Sequence, residues 1–574
     1  MRRLSALALG AFLLAGNAPE PVAPRVALEF SRYYDVGELA AALQELAAAY
    51  PEFLDLGTMG KSRGGNDMWI MTVTDKSTGK ASGKPAMYID ANTHGNEIQG
   101  GEVALFTINY LVTRQATDPW VRELMENFAF YIAPTVNPDS RHRFFTEPNS
   151  PHSPRQNTRP FDNDRDGLVD EDGPEDIDGD GEILQMRRAD PYGSMVDGSD
   201  PRSMRRRRPG EQGQWRFYRS EGIDNDGDGR INEDGTGGVD LNRQFPWQWE
   251  PDNIQRGAGP YMLSEPESRN TVEFIRAHPN IAGVQSYHNA GDMILRPPGA
   301  MSASDARLPR SDLAVMDGLA KLGENFLPDY RYLEVYGGLY PVHGGFFDWT
   351  YGELGIFSFT NELYSLNPDY DGDGRTSQEE RLRWNDEVAH GGCFVDWKPF
   401  DHPQLGPVEI GGWRAFCTRA PLPDDLPEMA LRNTLFTLLH ASFMPRVGWG
   451  EVVAERVERG LWRLEVEVVN NGHMPTASGQ ARRVGSHRPD MVAVEGGTLL
   501  AGGRLEDVRE VADPAERLLG GMLAISNLGA QESRRLVLLV AAKAGDLLVL
   551  RLTSQKGGEA TTTVRLPGGG IPGT

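Results

Sequence analysis

Short apolar runs and apolar stripes at helical spacing alternate over residues 30–445. The short runs lie between Gly, Pro and Asn turns and predict strands, chiefly over Phe53–Asp75 (a strand pair), Lys84–Ala91, Phe128–Pro134, Ile281–Tyr287 and Gly355–Leu363. The stripes predict helices, chiefly over Ser31–Tyr50, Glu97–Val112, Pro266–Ala277, Ser311–Phe326 and Leu426–Ala441. Because strands and helices alternate, we expect an α/β domain with a mixed, twisted β-sheet flanked by helices.

The pattern changes near Pro445. From Arg446 onward, runs such as Trp462–Val469 and Arg535–Val540 alternate apolar and polar residues between Gly and Asn turns. This alternation predicts half-buried strands, and residues 446–574 are expected to form a small β-sandwich. Leu426–Ala441 is therefore predicted to be the last helix. No catalytic cluster is visible in the β-sandwich, and the sequence does not indicate what it binds.

The first residues are typical of a secretory signal peptide. Arg2 and Arg3 precede an apolar run from Leu4 to Gly16, and a Pro-rich stretch follows. A buried helix is the less favoured alternative. We expect a signal peptide over residues 1–18 and a secreted or periplasmic protein, and no later run is long and apolar enough to span a bilayer.

Charge and cysteine content narrow the remaining possibilities. The 574 residues carry a formal net charge of −24, which argues against binding to nucleic acid or to an anionic membrane surface. The length suggests more than one domain. Cys393 and Cys417 are the two cysteines, and in an oxidising compartment they could form a disulfide or remain free buried thiols.

Three residues could bind one metal ion. His94 and Glu97 lie between a predicted strand and a predicted helix, so a bend can bring both side chains to one cation. His288 follows another strand. Two His and one Glu form a ligand set that zinc accepts, with a fourth position left for water. Each signal alone is weak, since H-x-x-E arises by chance and a lone His is more often a core or loop residue.

Further polar residues end apolar segments. Glu362 ends a strand, where an apolar setting would raise its pKa and suit it to proton transfer near neutral pH. Asp240 could orient a ligand imidazole. Arg243 offers a planar fork that can pair with a carboxylate.

In their order, these motifs resemble those of the zinc metallocarboxypeptidases of the carboxypeptidase A/B type. The resemblance covers about Tyr34–Trp397, with an acidic insert at residues 150–236 that the common digestive enzymes lack. The matching elements are His94-x-x-Glu97, Asn137-Pro138-Asp139, Asp240-x-Asn242-Arg243, Tyr287-His288, and Gly344-Gly345 with Asp348-Trp349 and Glu362.

The resemblance implies a role for each matching residue. His94, Glu97 and His288 would bind one catalytic zinc ion. Glu362 would be the general base, taking a proton from zinc-bound water and passing it to the leaving amine. The substrate's terminal carboxylate would be held by Asn242 and Arg243.

The resemblance also implies a mobile tyrosine and an arginine that polarises the scissile carbonyl. Tyr340 matches the tyrosine. The arginine is expected after Asn-Pro-Asp, and Arg155 is the preferred candidate. Because the insert makes the register uncertain, Arg159 stays possible.

Two positions depart from many relatives. Asn96 stands where many have Arg, which alters an outer subsite. Phe347 occupies the position that largely sets the side-chain preference at the cleaved residue, and with Gly299 it favours apolar or aromatic C-terminal residues. Arg296 lies nearby in sequence and could instead attract an acidic side chain.

The acidic residues of the insert fall into three calcium-type loops. Carboxylates at every second position can converge on one ion, and Gly permits the turn. None of the three loops has Glu at its twelfth position, so a solvated, disordered acidic run is the alternative. The expected ligands are Asp162, Asp164 and Asp166, then Asp176, Asp178 and Asp180, then Asp224, Asp226 and Asp228.

A fourth loop has the complete calcium-loop pattern. It begins at Asp369 and carries Gly374 at the sixth position. We expect it to bind structural calcium through Asp369, Asp371, Asp373, Ser377 and Glu380.

Three functions remain after these observations. The first is a secreted zinc carboxypeptidase with peptide or protein substrates and calcium-stabilised loops. The second keeps the site but cleaves cell-wall peptides or acts as a deacylase of the same fold. The third, a calcium-dependent adhesion or scaffold protein with an inactive site, is disfavoured by the intact set of His94, Glu97, His288 and Glu362.

Overall fold

A computed structural model describes residues 23–162, 166–235, 237–504 and 516–568. The predicted signal peptide over residues 1–18 and the predicted calcium ligand Asp164 lie outside these ranges, so both stay predictions. Every helix within the described ranges is too short or too polar to span a bilayer.

The long helices predicted from the sequence are present, with ends displaced by a few residues. The α-helices of the described chain are α1 Val36–Ala49, α2 Gln99–Arg114, α3 Pro119–Asn127, α4 Pro138–Thr146, α5 Pro266–Ala277, α6 Arg310–Gly323, α7 Val335–Gly338, α8 Phe346–Gly352, α9 Gln378–Glu387, α10 Ala415–Thr418, α11 Leu426–Phe443 and α12 Gly479–Val484. The prediction that α11 is the last helix is wrong, because the short helix α12 interrupts the β-sandwich. Its six residues are too few to show helical periodicity.

The strands form four sheets. They are β1 Leu54–Lys61, β2 Asp67–Val73, β3 Ala86–Ala91, β4 Ala129–Ala133, β5 Gln185–Ala189, β6 Met195–Asp197, β7 Met204–Arg206, β8 Trp215–Tyr218, β9 Ile281–Asn289, β10 Met293–Arg296, β11 Arg331–Glu334, β12 Phe357–Leu363, β13 Phe394–His402, β14 Gly406–Trp413, β15 Val447–Glu458, β16 Leu461–Asn470, β17 Asp490–Glu495, β18 Thr498–Arg504, β19 Arg517–Leu519, β20 Met522–Ile525, β21 Ser533–Ala541, β22 Leu547–Ser554 and β23 Gly558–Arg565.

The central sheet has eight strands in the order β1-β2-β4-β3-β9-β12-β10-β11. Strands β4, β3, β9 and β12 run parallel to one another, while β1, β2 and β10 pair antiparallel with neighbours. The predicted α/β fold with a mixed sheet is therefore confirmed.

Helices cover both faces of this sheet, as parallel strands require. Alternate residues of β3 point to opposite faces, so Met87 and Ile89 join the core that contains α1, α2, α6 and α11. Tyr88 joins the opposite core, beside Val272 of α5 and Trp349 of α8. The centre of the sheet is thus buried on both sides.

Caps and turns fix where the chain enters the central region. The Asn137 side chain accepts a hydrogen bond from Ser140 N at 3.2 Å, and Pro138 starts helix α4. The Asp139 carboxylate accepts hydrogen bonds from Ser62 Oγ at 2.6 Å and from Gly64 N at 2.6 Å. These bonds attach the turn between β1 and β2 to the start of α4.

The insert contains a sheet that the sequence did not predict. Strands β5 to β8 pair with β13 and β14 in a six-stranded antiparallel sheet ordered β13-β14-β5-β8-β6-β7. Its short strands, such as the Arg-rich β5 and β7, lack clear alternation. A disulfide joins Cys393, just before β13, to Cys417 of α10, so the disulfide is the correct one of the two predicted alternatives.

The C-terminal region is a two-layered β-structure, as predicted. One antiparallel sheet is ordered β15-β16-β21-β18 and the other β19-β20-β17-β22-β23. Alternate residues of β16, β21 and β22 form a shared apolar core that includes Trp462, Leu538 and Leu550. Helix α11 and strand β15 lie on either side of Pro445, the predicted domain boundary.

Candidate functional site

The candidate site lies at the carboxyl ends of parallel strands. His94 and Glu97 occupy the loop between β3 and α2, and His288 is the next-to-last residue of β9. Glu362 of β12 pairs with His288 in parallel register. Strand β4 lies on one side of β3, and β9 lies on the other side. In α/β sheets, ligands bind in the crevice that forms where successive connections leave a strand in opposite directions.

His94, Glu97 and His288 form a compact, buried cluster. Nδ1 of His94 lies 2.9 Å from Glu97 Oε1, and Nδ1 of His288 lies 3.0 Å from Glu97 Oε2. The two Nδ1 atoms are 3.2 Å apart. One ligand atom from each residue therefore lies within 4.8 Å of the others, and the donor set fits zinc.

Electrostatics favour the ionised form of Glu97. Burial alone would raise the pKa of its carboxyl, but His94, His288 and Arg155 together hold this pKa well below its usual range. Glu97 therefore carries a negative charge for a cation to neutralise.

Asp240 holds the far side of the His94 ring. Its Oδ1 lies 2.9 Å from His94 Nε2 and also accepts a hydrogen bond from Asn242 N at 2.8 Å. With hydrogen on Nε2 directed to this carboxylate, Nδ1 is left to bind a metal. Arg155 Nη2 lies 3.0 Å from the same Nε2. The orienting role of Asp240 stays a prediction, and its contact with His94 supports it.

Arg155, and not Arg159, reaches the centre of the site. Arg155 Nη1 donates to Glu97 Oε1 at 2.7 Å, and Nη2 lies 3.6 Å from Asp240 Oδ2. Arg159 instead forms an ion pair with Glu265 at 2.9 Å. The backbone holds Arg155 in place, since its carbonyl accepts a hydrogen bond from Gly95 N at 3.0 Å.

Glu362 is partly buried in the same cleft. Burial and then the charge of Glu97 raise the pKa of its carboxyl to about 7, with His288, Arg155 and Arg419 opposing that rise. A carboxyl with this pKa can exchange a proton near neutral pH, as its predicted role requires.

Asn242 and Arg243 lie in a short 3₁₀ turn that begins after Asp240. Asn242 Oδ1 accepts a hydrogen bond from Phe346 N at 2.8 Å, and Arg243 Nη1 donates to the Asn242 carbonyl at 2.7 Å. Among the described residues, the ion pair recorded for Arg243 is a loose one of 4.0 Å to Asp240. The buried guanidinium therefore retains the capacity to pair with a carboxylate.

Tyr340 and Phe347 differ in exposure. Tyr340, in the loop after α7, is 53% exposed. Phe347 is buried in α8 with Met293, Leu295 and Val342. Phe347 thus contributes to an apolar wall beside the cleft.

Sequence reasoning missed Asp348 as a group near this wall. Its Oδ1 accepts a hydrogen bond from Gly299 N at 2.9 Å, while Oδ2 is buried without a hydrogen-bond partner. Burial raises the pKa of Asp348 to about 7, and Arg243 opposes that rise. The one sequence signal for Asp348 is the Asp-Trp pair, which the sequence analysis uses only as a motif of the family and not as a prediction of a site residue.

Arg296 is already paired with two acids. Its Nε lies 3.3 Å from Asp317 and its Nη1 lies 3.0 Å from Glu334. These partners reduce its capacity to attract an acidic substrate side chain.

Arg419 is a second residue that sequence reasoning missed. It follows α10, and its Nη2 lies 3.7 Å from Glu97 Oε1. Nothing in the surrounding sequence forms a motif, so only the tertiary structure brings this arginine to the site.

The acidic loops of the insert group differently from the prediction. Asp224, Asp226 and Asp228 form one cluster, and Asp176 and Asp178 form another with Glu221. Asp226 also belongs to two further clusters that join the first and third loops. It lies with Asp166 and Glu171 in one of them, and with Asp172 and Glu233 in the other. A β-bridge between Asp172 and Asp234 joins these two loops.

The remaining predicted ligands lie at exposed turns. Asp162 accepts a hydrogen bond from Gly167 N at 3.1 Å, and Asp180 accepts one from Glu182 N at 3.0 Å. Both bonds are typical of such turns whether or not an ion is bound. These two contacts therefore do not indicate ion binding.

Two residues of the fourth loop cap the helix that follows it. Ser377 and Glu380 form the capping box of α9, with Ser377 Oγ accepting from Glu380 N at 3.1 Å. Asp369, Asp371 and Asp373 accept hydrogen bonds from backbone N–H groups within the loop. Helix capping therefore accounts for Ser377 and Glu380 without a cation.

Sequence comparison identifies two regions. The profile of the family described as Zinc carboxypeptidase matches residues 39–367. A domain of unknown function, DUF8731, matches residues 446–565. The second match coincides with the predicted β-sandwich.

Individual relatives are similar over parts of their length. Carboxypeptidase M of Mus musculus is 34% identical over 113 residues, which are 20% of this chain and 25% of that protein. Zinc carboxypeptidase A 1 of Drosophila melanogaster is 23% identical over 349 residues, which are 60% of this chain and 64% of that protein. The matched region thus spans less than two thirds of each of these relatives.

A solved structure is similar at low sequence identity. Carboxypeptidase A from Helicoverpa armigera aligns with a TM-score of 0.44 and 19% identity, over 73% of this chain and 75% of that one.

Proposed function

Because the chain belongs to the zinc carboxypeptidase family, we propose that it is a zinc-dependent carboxypeptidase that removes the C-terminal residue of peptides. The observation that carries this proposal is the buried cluster of His94, Glu97 and His288 beside Glu362. The guanidinium of Arg243, whose ion pair with Asp240 is loose at 4.0 Å, gives the cleft a group suited to a terminal carboxylate.

The donor set determines the metal. Two imidazoles and one carboxylate would bind a single zinc ion through His94 Nδ1, His288 Nδ1 and Glu97. When bound, zinc supplies Lewis-acid polarisation and lowers the pKa of a coordinated water.

Protein side chains would transfer the proton, polarise the scissile carbonyl and bind the terminal carboxylate. Glu362 accepts a proton from the attacking water and returns it to the leaving amine, which needs a pKa near the working pH. Arg155 donates hydrogen bonds to the scissile carbonyl as negative charge develops there. Asn242 and Arg243 hold the terminal carboxylate, and the exposed Tyr340 covers the bound residue.

We further propose a preference for apolar or aromatic terminal residues. Phe347 and its apolar neighbours support it. Asp348 could favour a basic residue instead, but its raised pKa of about 7 keeps it largely neutral in mildly acidic solution. The division into a catalytic domain at 30–445 and a β-sandwich at 446–574 is likewise our proposal.

Replacement of His288 with Ala tests the metal assignment. Removing one of three ligands is expected to abolish stable zinc binding and with it detectable activity. Zinc content is measured by elemental analysis after gel filtration. The exposed His473→Ala variant serves as the control and should retain zinc. Full zinc occupancy in His288→Ala would refute the proposed ligand set.

We also propose that the insert binds structural calcium. Asp172 is fully buried and its Oδ2 has no hydrogen-bond partner, although carboxylate oxygens of Asp226 and Glu233 lie within 4.8 Å. Burial, followed by Asp178 and Asp176, raises the pKa of Glu221 to about 7. A bound cation would relieve both the repulsion and the burial penalty.

Calcium is therefore expected to raise the thermal midpoint by several degrees. Binding to the folded state alone stabilises it by mass action. Melting is followed in calcium-free buffer and after calcium is added, with zinc held constant. The gain should be reduced in Asp226→Asn, because three of the clusters share that residue, and should be unchanged in the surface variant Asp305→Asn. An equal midpoint with and without calcium in the unmodified protein would contradict calcium binding.

A further inference from the structure

A fully buried arginine adjoins the loop that carries His94 and Glu97. Arg141 of α4 has no solvent exposure. Its Nη1 donates to the Ile98 carbonyl at 2.7 Å and makes a longer bond of 3.4 Å to Asn92 Oδ1. Ile98 directly follows Glu97, and Asn92 precedes His94 by two residues. The guanidinium therefore contacts the loop on both sides of the two candidate metal ligands.

The Asn92 side chain connects Arg141 to the backbone of this loop. Its Nδ2 donates to the His94 carbonyl at 2.7 Å and to the Gly95 carbonyl at 3.2 Å. The φ angle of Asn92 is +54°, in the left-handed region that few non-glycine residues adopt. Such a conformation persists where surrounding contacts hold it. The bonds to Asn92 Oδ1 from Arg141 and, at 3.1 Å, from Thr135 Oγ1 are two of those contacts.

Gly101 of α2 leaves the space that the guanidinium occupies. A Cβ atom on this glycine would lie 2.7 Å from Arg141 Nη1 and 3.2 Å from the Pro134 carbonyl oxygen. Both distances are shorter than the separation of about 3.5 Å that nonbonded heavy atoms prefer. A residue with a side chain at position 101 would therefore displace the guanidinium from the loop.

The other nitrogen of the guanidinium bonds two further segments. Arg141 Nη2 donates to Glu102 Oε1 at 2.7 Å and to the Tyr34 carbonyl at 2.6 Å. Tyr34 N donates to the same Glu102 oxygen at 2.8 Å. Glu102 lies on α2, and Tyr34 belongs to the segment before α1. Arg141 is therefore fixed between the metal-ligand loop on one side and these two segments on the other.

Stability alone does not account for the ion pair between Arg141 and Glu102. Both side chains are buried, at 0% and 1% exposure. The desolvation of two buried charges can exceed their mutual attraction, so such a pair contributes little net stability. Burial raises the pKa of Glu102, and the Arg141 charge opposes that rise. What the pair supplies is a fixed position for the guanidinium.

From these contacts we infer that Arg141 is a positioning residue of the metal site, which holds His94 and Glu97 in their binding geometry before a metal ion arrives. The inference rests on the proposed function, which assigns these two residues to zinc. Preorganised ligands lose less conformational freedom on binding, so the affinity for the ion is higher. Arg141 acts through Asn92 and the Ile98 carbonyl rather than through a ligand atom.

Arg141→Met tests this role, because Met keeps a buried apolar side chain and removes every donor. The measurement is the zinc dissociation constant at fixed pH, obtained by competition with a chromogenic chelator of known zinc affinity. Loss of a group that orients metal ligands typically weakens metal binding by about 10- to 100-fold, and we expect a loss in this range. At saturating zinc, KM should equal that of the unmodified enzyme and most of kcat should return, because Glu362 and Arg243 are intact.

Arg141→Lys is the conservative variant. Its ammonium can pair with Glu102, but one nitrogen cannot reach all the acceptors that the two guanidinium nitrogens reach. The zinc dissociation constant should therefore lie between those of the unmodified protein and Arg141→Met. This variant keeps the test decisive if Arg141→Met does not fold, since unaltered zinc affinity in folded Arg141→Lys would also overturn the inference.

Arg187→Met is the matched control. Arg187 of β5 is also buried, and it pairs with Glu409 at 2.7 Å within the six-stranded sheet. Its loss should lower the melting midpoint and leave the zinc dissociation constant unchanged. If Arg141→Met likewise melts at a lower temperature but binds zinc as tightly as the unmodified protein, Arg141 is only structural and the inference fails. If the unmodified protein itself binds no zinc, the proposed function fails, and the inference with it.

Discussion

Replacing Glu362 with Gln is expected to lower kcat by about 10²–10⁴-fold, the range for loss of a positioned general base. Gln is close to Glu in size and cannot accept the proton, so the fold and the zinc content should be unchanged. Zinc alone cannot replace the proton transfer to the leaving amine. The measurement is steady-state turnover at matched zinc content.

The pH profile gives a second readout for the same variant. The Glu362 carboxylate must be ionised to accept a proton, so kcat/KM should rise with pH through the pKa of this group. A cation bound at the neighbouring cluster would lower that pKa of about 7. This acidic limb should be absent from the residual activity of Glu362→Gln.

The exposed Glu387→Gln variant controls for a general effect of removing a carboxylate. Glu387 lies on α9, and within the described ranges of the chain its ion pair is with Arg383. Turnover near the wild-type rate in Glu362→Gln would move the general base to another residue.

Amidation of the substrate's C-terminus is expected to cause the second large loss. Arg243 is buried, and a peptide amide would leave its charged group without a carboxylate. Leaving one partner of a buried charge pair unmatched costs about 2–5 kcal/mol, or roughly 30- to 5,000-fold in kcat/KM. A free-acid peptide and its amide of identical sequence provide the comparison.

Arg243→Met extends this comparison. Because the variant has no guanidinium, it should cleave the free acid about as slowly as the unmodified enzyme cleaves the amide. Its own preference for the free acid should largely disappear. If the unmodified enzyme cleaves the free acid and the amide equally, the carboxylate has no role in recognition and the exopeptidase proposal fails.

The fold class and the central residues could be predicted from local features. Buried parallel strands are continuous apolar runs, and the polar residues that end such runs meet at one sheet edge. His94, Glu97, His288 and Glu362 lie together for this reason. The β-sandwich was equally visible, because period-2 alternation in β16 and β21 requires one buried face.

Contacts between distant segments could not be predicted in the same way. The pairing of the first and third acidic loops through Asp172 and Asp234 depends on how β5 to β8 fold back, and those strands carry no clear pattern. Arg419 reaches the site through its bonds with Asn289. Neither contact has a periodicity or a motif in the sequence.

The choice between Arg155 and Arg159 shows the same limit at short range. Both follow Asn137-Pro138-Asp139, and the insert obscures the register. The structure separates them because Glu265, far away in sequence, pairs with Arg159 and leaves Arg155 beside Glu97. Arg155 therefore stays the predicted arginine for the scissile carbonyl, and it is long-range charge pairing, not sequence spacing, that favours it over Arg159.

A peptide-library digest read by mass spectrometry tests the central proposal most directly. The unmodified protein is incubated with the library with and without a zinc chelator. We expect loss of single C-terminal residues, fastest for apolar and aromatic ones, only in the sample without chelator. Internal cleavage, removal of N-terminal residues, or equal digestion in the presence of the chelator would contradict a zinc-dependent carboxypeptidase.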